Sequence, residues 1–180
     1  MKSEKLMRIS AIVLLVALVF PVSLAAQDNQ QGKNATFITF EVPGAGKGAG
    51  QGTQAYDVNP GRAITGAYID SSNVYHGFLR APDGTITKFH APGAGTGAGQ
   101  GTAGDAINPI GVIVGAYYDS SNVMHGFLRH PDGTFAPPID VKGAGTGYHQ
   151  GTDAQNINLA GMIAGYYVDA SNVAHGFLRE

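Results

Sequence analysis

No cysteine occurs among the 180 residues, which removes disulfides, thiolate metal ligands and thiol nucleophiles together. Charge is scarce too: Asp, Glu, Lys and Arg make up 13% of the chain, about half the share of an ordinary soluble protein. There is no basic cluster and the formal net charge is -2. Nucleic acid and anionic membrane surfaces are therefore not expected partners. What is abundant is glycine, at 27 residues. The composition describes a turn-rich chain, long enough for one domain with a core, held by packing and backbone pairing.

Lys2, Lys5 and Arg8 precede an apolar run from Ile9 to Phe20, which Pro21 ends, and Ser23-Leu24-Ala25 supplies small residues for a peptidase. That layout predicts a signal peptide over residues 1–25, cleaved after Ala25. The run is shorter than the roughly twenty residues of a membrane anchor, and with no cysteine near the cleavage point a lipoprotein is excluded. The polar, aperiodic stretch over residues 26–35 reads as a flexible lead-in. The expected product is secreted or periplasmic, without a membrane span after cleavage.

Residues 36–180 read as one repeated unit in three copies, approximately 36–84, 85–133 and 134–180. Gln-Gly-Thr recurs at Gln51, Gln100 and Gln150, and His-Gly-Phe-Leu-Arg at His76, His125 and His175, at offsets of 49 and 50. Between these markers Asn59, Asn108 and Asn158 stay in register, as do Gly66, Gly115 and Gly165. Fixed self-similarity of this kind marks a repeat architecture. Within a unit, apolar alternation bounded by turn residues predicts four short antiparallel strands. In the second unit these are about Asp105 to Asn108, Val112 to Asp119, Val123 to His130 and Thr134 to Val141. Asn-Pro-x-Gly, Asp-Ser-Ser-Asn and Pro-Asp-Gly turns separate them, and a glycine-rich connection such as Pro92 to Thr102 leads onward. Pro137-Pro138 places the fourth strand at an edge.

Four antiparallel strands per unit of about 49 residues, repeated, predict an all-β, β-propeller-like fold. The third unit reaches Glu180 after its third strand, and Thr36 to Val42 reads as a fourth strand with nothing before it, able to complete the last unit. Propellers typically have about four to eight blades, so three units fit half of a six-bladed ring made by a homodimer. The alternative is a β-trefoil or β-prism-like threefold barrel closed within one chain.

The string Ile-x-Gly-x-Tyr-x-Asp-Ser-Ser-Asn-Val-x-His-Gly-Phe-Leu-Arg, followed by Pro-Asp-Gly-Thr, spans Ile64 to Thr85 and Ile113 to Thr134, and without its last turn Ile163 to Arg179. It resembles the HAF-type extracellular repeats of bacteria over nearly all of the chain beyond the leader. The resemblance implies a bacterial secreted protein with a propeller-like fold. It brings no established activity and no catalytic residues.

Gly44 to Gly52 has the look of a nucleotide loop, but Lys47 is followed by Gly48 rather than Ser or Thr, and no helix follows to meet a phosphate. His76, His125 and His175 would make a zinc site if a threefold axis brought them together. The structural reading is stronger, each ring bonding a neighbouring backbone while Gly77, Gly126 and Gly176 leave room for an aromatic such as Tyr68. The Asp turns supply one carboxylate each, too few for calcium. No metal or cofactor is expected. Strand alternation puts the glycine-rich loops and Asp turns on one face, presenting Gln51, Gln100 and Gln150 beside Asp70, Asn73, Asp119, Asn122, Asp169 and Asn172. Tyr148 and His149 join the third loop only. The residues that break the repeat, Lys47, Arg62, Lys88, His130, Tyr148 and His149, form no recognisable catalytic set. The expected function is non-catalytic binding of glycan or protein by the repeated loops. A polysaccharide hydrolase or lyase on the same face, and a shortened array without activity of its own, are the alternatives.

Overall fold

The structure, a computed structural model, describes residues 35–180. The leader and nearly all of the lead-in lie outside the described residues. Ten strands and no helix make up the rest: β1 (Gly52–Val58), β2 (Ile64–Ile69), β3 (Tyr75–Arg80), β4 (Ile86–Phe89), β5 (Gly101–Ile107), β6 (Ile113–Tyr118), β7 (Met124–Arg129), β8 (Gly151–Ile157), β9 (Ile163–Val168) and β10 (Ala174–Arg179). They belong to one mixed sheet in the order β1-β2-β3-β5-β6-β7-β8-β9-β10, with β4 off that path against β3.

Three antiparallel groups, β1–β3, β5–β7 and β8–β10, share one register. Gly52 faces Ile69, Gly101 faces Tyr118, and Gly151 faces Val168. Neighbouring groups meet in parallel at single residue pairs, Tyr75 with Gly101 and Met124 with Gly151. There the Tyr75 amide donates to the Gln100 carbonyl at 2.8 Å, and the Met124 amide to Gln150 at 2.8 Å. Gly101 and Gly151 hold φ of +113° and +121°, and a Cβ at either would collide with the facing carbonyl of Tyr75 or Met124.

The strands differ from expectation at two places. β5 begins in the glycine-rich connection, four residues earlier than its apolar alternation starts, because Gly101 to Gly104 pair with Gly115 to Tyr118 although their small side chains show no alternation. A fourth strand forms only after the first group, as β4. After the second group, Pro137 and Pro138 remove the amides a ladder needs, and only bridges from Arg129 to Phe135 and from Gly126 to Ile139 remain. The sheet is open, with β1 and β10 at its ends, so the described residues form neither a closed ring nor a closed barrel. The segment expected to complete the last unit does not do so: Val42 donates to Thr53 Oγ1 at 2.9 Å and Phe40 meets Phe78 edge-on at 5.9 Å, both in the first group.

The core lies between consecutive groups. Phe89 packs edge-on against Phe127 at 6.0 Å, alongside Ile107, Ile113 and Tyr117, and Ile139 fills the corresponding place among Val114, Ala154 and Ile163. Phe78 and Phe127 are fully enclosed. The space that Gly77 leaves is taken by Phe89, not by a tyrosine: a Cβ there would lie 2.6 Å from Phe89 Cζ. Ile139 occupies the same slot over Gly126. Over Gly176 the slot is empty, the nearest atom being Gly165 O at 4.0 Å.

The same substitution should therefore act differently in different groups. Gly77→Val overpacks a filled slot and is expected to cost about 1–3 kcal/mol in urea unfolding. Gly176→Val should stay within about 0.5 kcal/mol of the parent. Equal losses would contradict this packing.

Candidate functional site

The repeated loop residues are brought together, and they satisfy one another. The side-chain amide of Gln51 donates from Nε2 to Asn73 Oδ1 at 3.0 Å and to Ser71 O at 3.3 Å, while its Oε1 accepts from the Gly48 amide at 2.8 Å. Gln100 makes the equivalent bonds to Asn122, Ser120 and Gly97, and Gln150 to Asn172, Ala170 and Gly147. Asn73, Asn122 and Asn172 take positive φ near +60°, a conformation asparagine tolerates in turns.

Each aspartate turn is equally committed. Asp70 Oδ1 accepts from the Ser72 and Val74 amides at 2.8 and 3.0 Å, and its Oδ2 meets His76 Nε2 at 2.9 Å. Asp169 repeats this with Ser171, Val173 and His175, the last at 3.0 Å. Both carboxyls are held below the usual carboxylate range, chiefly by the Val74 and Val173 amides and then by their histidine neighbours. Asp119 caps its own turn in the same way, with His125 Nε2 farther off at 3.6 Å. The three histidines thus bond a side chain rather than a backbone group, His125 doing so through Nδ1 to Asp140 Oδ1 at 2.9 Å, and each stacks on the tyrosine opposite it: His76 on Tyr68 at 4.6 Å, His125 on Tyr117 at 5.0 Å and His175 on Tyr167 at 4.9 Å. Among the described residues, no group of three His, Asp or Glu is placed to hold a metal ion.

A second constellation was not visible in the repeat. β5 and β8 pack against one another across the sheet, and they carry Asp105 and Asp153, whose carboxyls lie close together on one cavity wall. Asp105 replaces Tyr56 and Gln155 of the other groups, and Asp153 replaces Gln54 and Ala103. The Asp105 carboxyl is pushed up to about 8, by burial first and then by the Asp153 charge. Asp153 is raised by burial as well. Asp153 Oδ1 is buried with no hydrogen-bond partner among the described residues. Two ionised carboxylates in contact would repel in a poorly solvated site, so the pair keeps one proton through neutral pH.

Tyrosines surround the pair. Tyr75, Tyr118, Tyr166 and Met124 line a cavity of about 210 Å³ with both aspartates. Tyr166 lies beside Asp153, and its phenol is pushed up to about 12, first by burial and then by that carboxylate's charge. Tyr56, beside Asp105, is raised to about 12 by burial and then by the Asp105 charge. These phenols remain protonated donors at any physiological pH. Tyr75, Gly101 and Met124 begin or lie at the start of their strands and Tyr118 ends its own, so the cavity lies toward the ends that carry the glycine-rich loops and aspartate turns.

One loop reaches this site. Tyr148, exposed, stacks on His149 at 4.1 Å, and His149 packs against Tyr118 at 5.0 Å. His149 holds φ +58° where the other two loops have Gly50 and Gly99, also at positive φ. A histidine in that region is disfavoured by about 1–2 kcal/mol. Of the other residues that break the repeat, Lys88 donates to Pro43 O at 3.0 Å and lies over the Tyr68 ring, and none of them lines the cavity. The chain matches no family model, no curated protein and no solved structure in comparison with known proteins.

Unfolded, Asp105 ionises near pH 4; folded, it stays protonated to about 8. Across that window the unfolded chain binds fewer protons than the folded one, so stability falls as pH rises. Melting temperature should decline between about pH 5 and pH 8, and Asp105→Asn should flatten the decline; an unchanged slope would remove the shared proton. His149→Gly should raise stability by about 1 kcal/mol in chemical unfolding by relieving the left-handed backbone, and a loss of stability would show that the ring's packing outweighs that strain.

Proposed function

We propose that the protein is a secreted, non-catalytic binding module of the bacterial HAF-repeat kind, built on propeller-like units, and that its ligand is glycan. The observation that carries this reading is the cavity where Asp105 and Asp153 sit among tyrosines. Aromatic faces beside fixed carboxyl and phenol groups suit the apolar face and hydroxyl rim of a sugar ring. Its volume of about 210 Å³ is below the roughly 300–1,000 Å³ of pockets that enclose drug-sized molecules, so it accommodates one ring or a chain end. Tyr148 and His149 extend the aromatic surface outward. The repeated Gln, Asp and Asn residues then act as the frame that holds these loops, their polar atoms being spent on one another.

The proton held by the aspartate pair also speaks for an extracellular hydrolase, since it is a ready general acid. Glycosidases, however, keep their two carboxyls about 5–5.5 Å apart, or about 6.5–9.5 Å where a water must fit between. Carboxyls as close as those of Asp105 and Asp153 suit a shared proton better than either spacing, which favours binding without turnover.

Met124 is one of four methionines and lines the cavity, so its methyl resonance reports on occupancy. Titration with neutral mono- and oligosaccharides should shift that resonance saturably, with affinity falling at least tenfold in Tyr166→Ala and no product released on long incubation. Sugar binding unaffected by Tyr166→Ala, or release of shortened sugar, would sink this reading.

A further inference from the structure

We infer that this chain associates head to tail with further copies of itself, residues Thr39–Val42 of one copy adding to the open edge of β10 in another. Open slots at one end of the sheet match unused groups at the other. Within the chain, each group is completed by the segment that comes after it. Phe89 and Ile139 fill the slots over Gly77 and Gly126, and both are succeeded two residues later by an amide that bonds a threonine of the next group, Ala91 to Thr102 Oγ1 and Val141 to Thr152 Oγ1, each at 3.0 Å. Val42 makes the same bond to Thr53 Oγ1 at 2.9 Å, which puts Phe40 in register with Phe89 and Ile139. Phe40 precedes the first group, so no glycine slot lies beneath it; Gly176 has a slot and nothing in it.

Four further features repeat the match. Gly52 keeps φ +115°, the conformation that in Gly101 and Gly151 admits the carbonyl of a neighbouring group, yet no atom lies nearer than 4.0 Å to where its Cβ would be. The inter-group nitrogens of Asn59 and Asn108 donate to Asn108 O and Asn158 O at 3.1 and 3.3 Å, a ladder that stops at Asn158. His76 Nδ1 meets His90 Nε2 and His125 Nδ1 meets Asp140 Oδ1, both at 2.9 Å; in the same register Glu41 of a second copy would face His175. Leu178 on β10 is 59% exposed and Ile38 is 69% exposed, and the β3–β4 register, Leu79 with Thr87, sets the equivalent pair opposite one another. A contact that joins unlike ends is heterologous, so copies form a ring or a filament according to whether the rotation closes.

Light scattering on the purified protein should give a mass that rises with concentration to two or more chains. Gly176→Val, which meets nothing in the isolated chain, should weaken association at least tenfold while leaving the melting curve of the dilute protein unchanged. Because the chain has no cysteine, Ile38→Cys and Leu178→Cys can each be made alone and mixed under oxidation. The mixture should yield a two-chain product faster than either variant by itself. A monomer at every concentration, a mixture that crosslinks no faster than its parts, or closure within a single chain when Ile38→Cys and Leu178→Cys are combined would each overturn the inference.

Discussion

The Tyr75 amide reaches the Gln100 carbonyl, and the Met124 amide reaches Gln150; on these handovers between neighbouring groups the fold depends. One repeat cannot bury its hydrophobic face alone, so each group packs its open face against the next. The parallel contact is one residue pair wide, and it needs a strand to start with no side chain and a positive φ. Gln-Gly-Thr provides that start: glycine admits the neighbour's carbonyl, threonine accepts the amide of the residue that stands just before the glycine-rich connection, and glutamine ties the loop to the Asp-x-Ser-Asn turn. The three residues most conspicuous in the repeat are accounted for by one junction.

That junction explains why the loops look like a binding surface in sequence and behave as a frame in structure. Glutamine and asparagine amides facing each other use the donors and acceptors that a ligand would otherwise contact. The Asp–His pairs with their stacked tyrosines secure the turn to the strand after it. Chemistry then falls to positions the junction does not use, on the strands β5 and β8 where they face one another.

Most of the strand plan was legible because turn residues and alternation recur at fixed spacing: β6, β7 and their counterparts lie within one or two residues of their expected bounds. The fourth strand was not, since whether it pairs depends on Pro137 and Pro138 in one place and on a missing partner in another. Gly77 does make room, as its place beside the histidine implies, but the occupant, Phe89, comes from a strand whose register only the structure fixes. The aspartate pair escaped for a different reason. Asp105 and Asp153 occupy different positions within their groups and lie 48 residues apart in sequence, so aligning the copies shows two unrelated departures. Their contact arises from the offset between β5 and β8, which alignment of the copies hides. The available signal was that both departures place a carboxylate on the first strand of a group.

Burying that pair has a cost the fold does not need to bear. The positions are filled elsewhere by Gln54, Ala103, Tyr56 and Gln155, so the junctions form without a carboxylate there. A carboxyl forced to remain protonated to about 8 loses stability steadily above pH 4, and an unpaired buried oxygen would cost about 1–3 kcal/mol more. His149 adds backbone strain at a site where two other loops use glycine. Three departures from the repeat, each unfavourable for folding, converge around Tyr118 and one cavity. Strain and desolvation gathered at a single place in an otherwise self-satisfied repeat single out this cavity as the candidate site, because such departures persist in folds chiefly where something other than stability holds them.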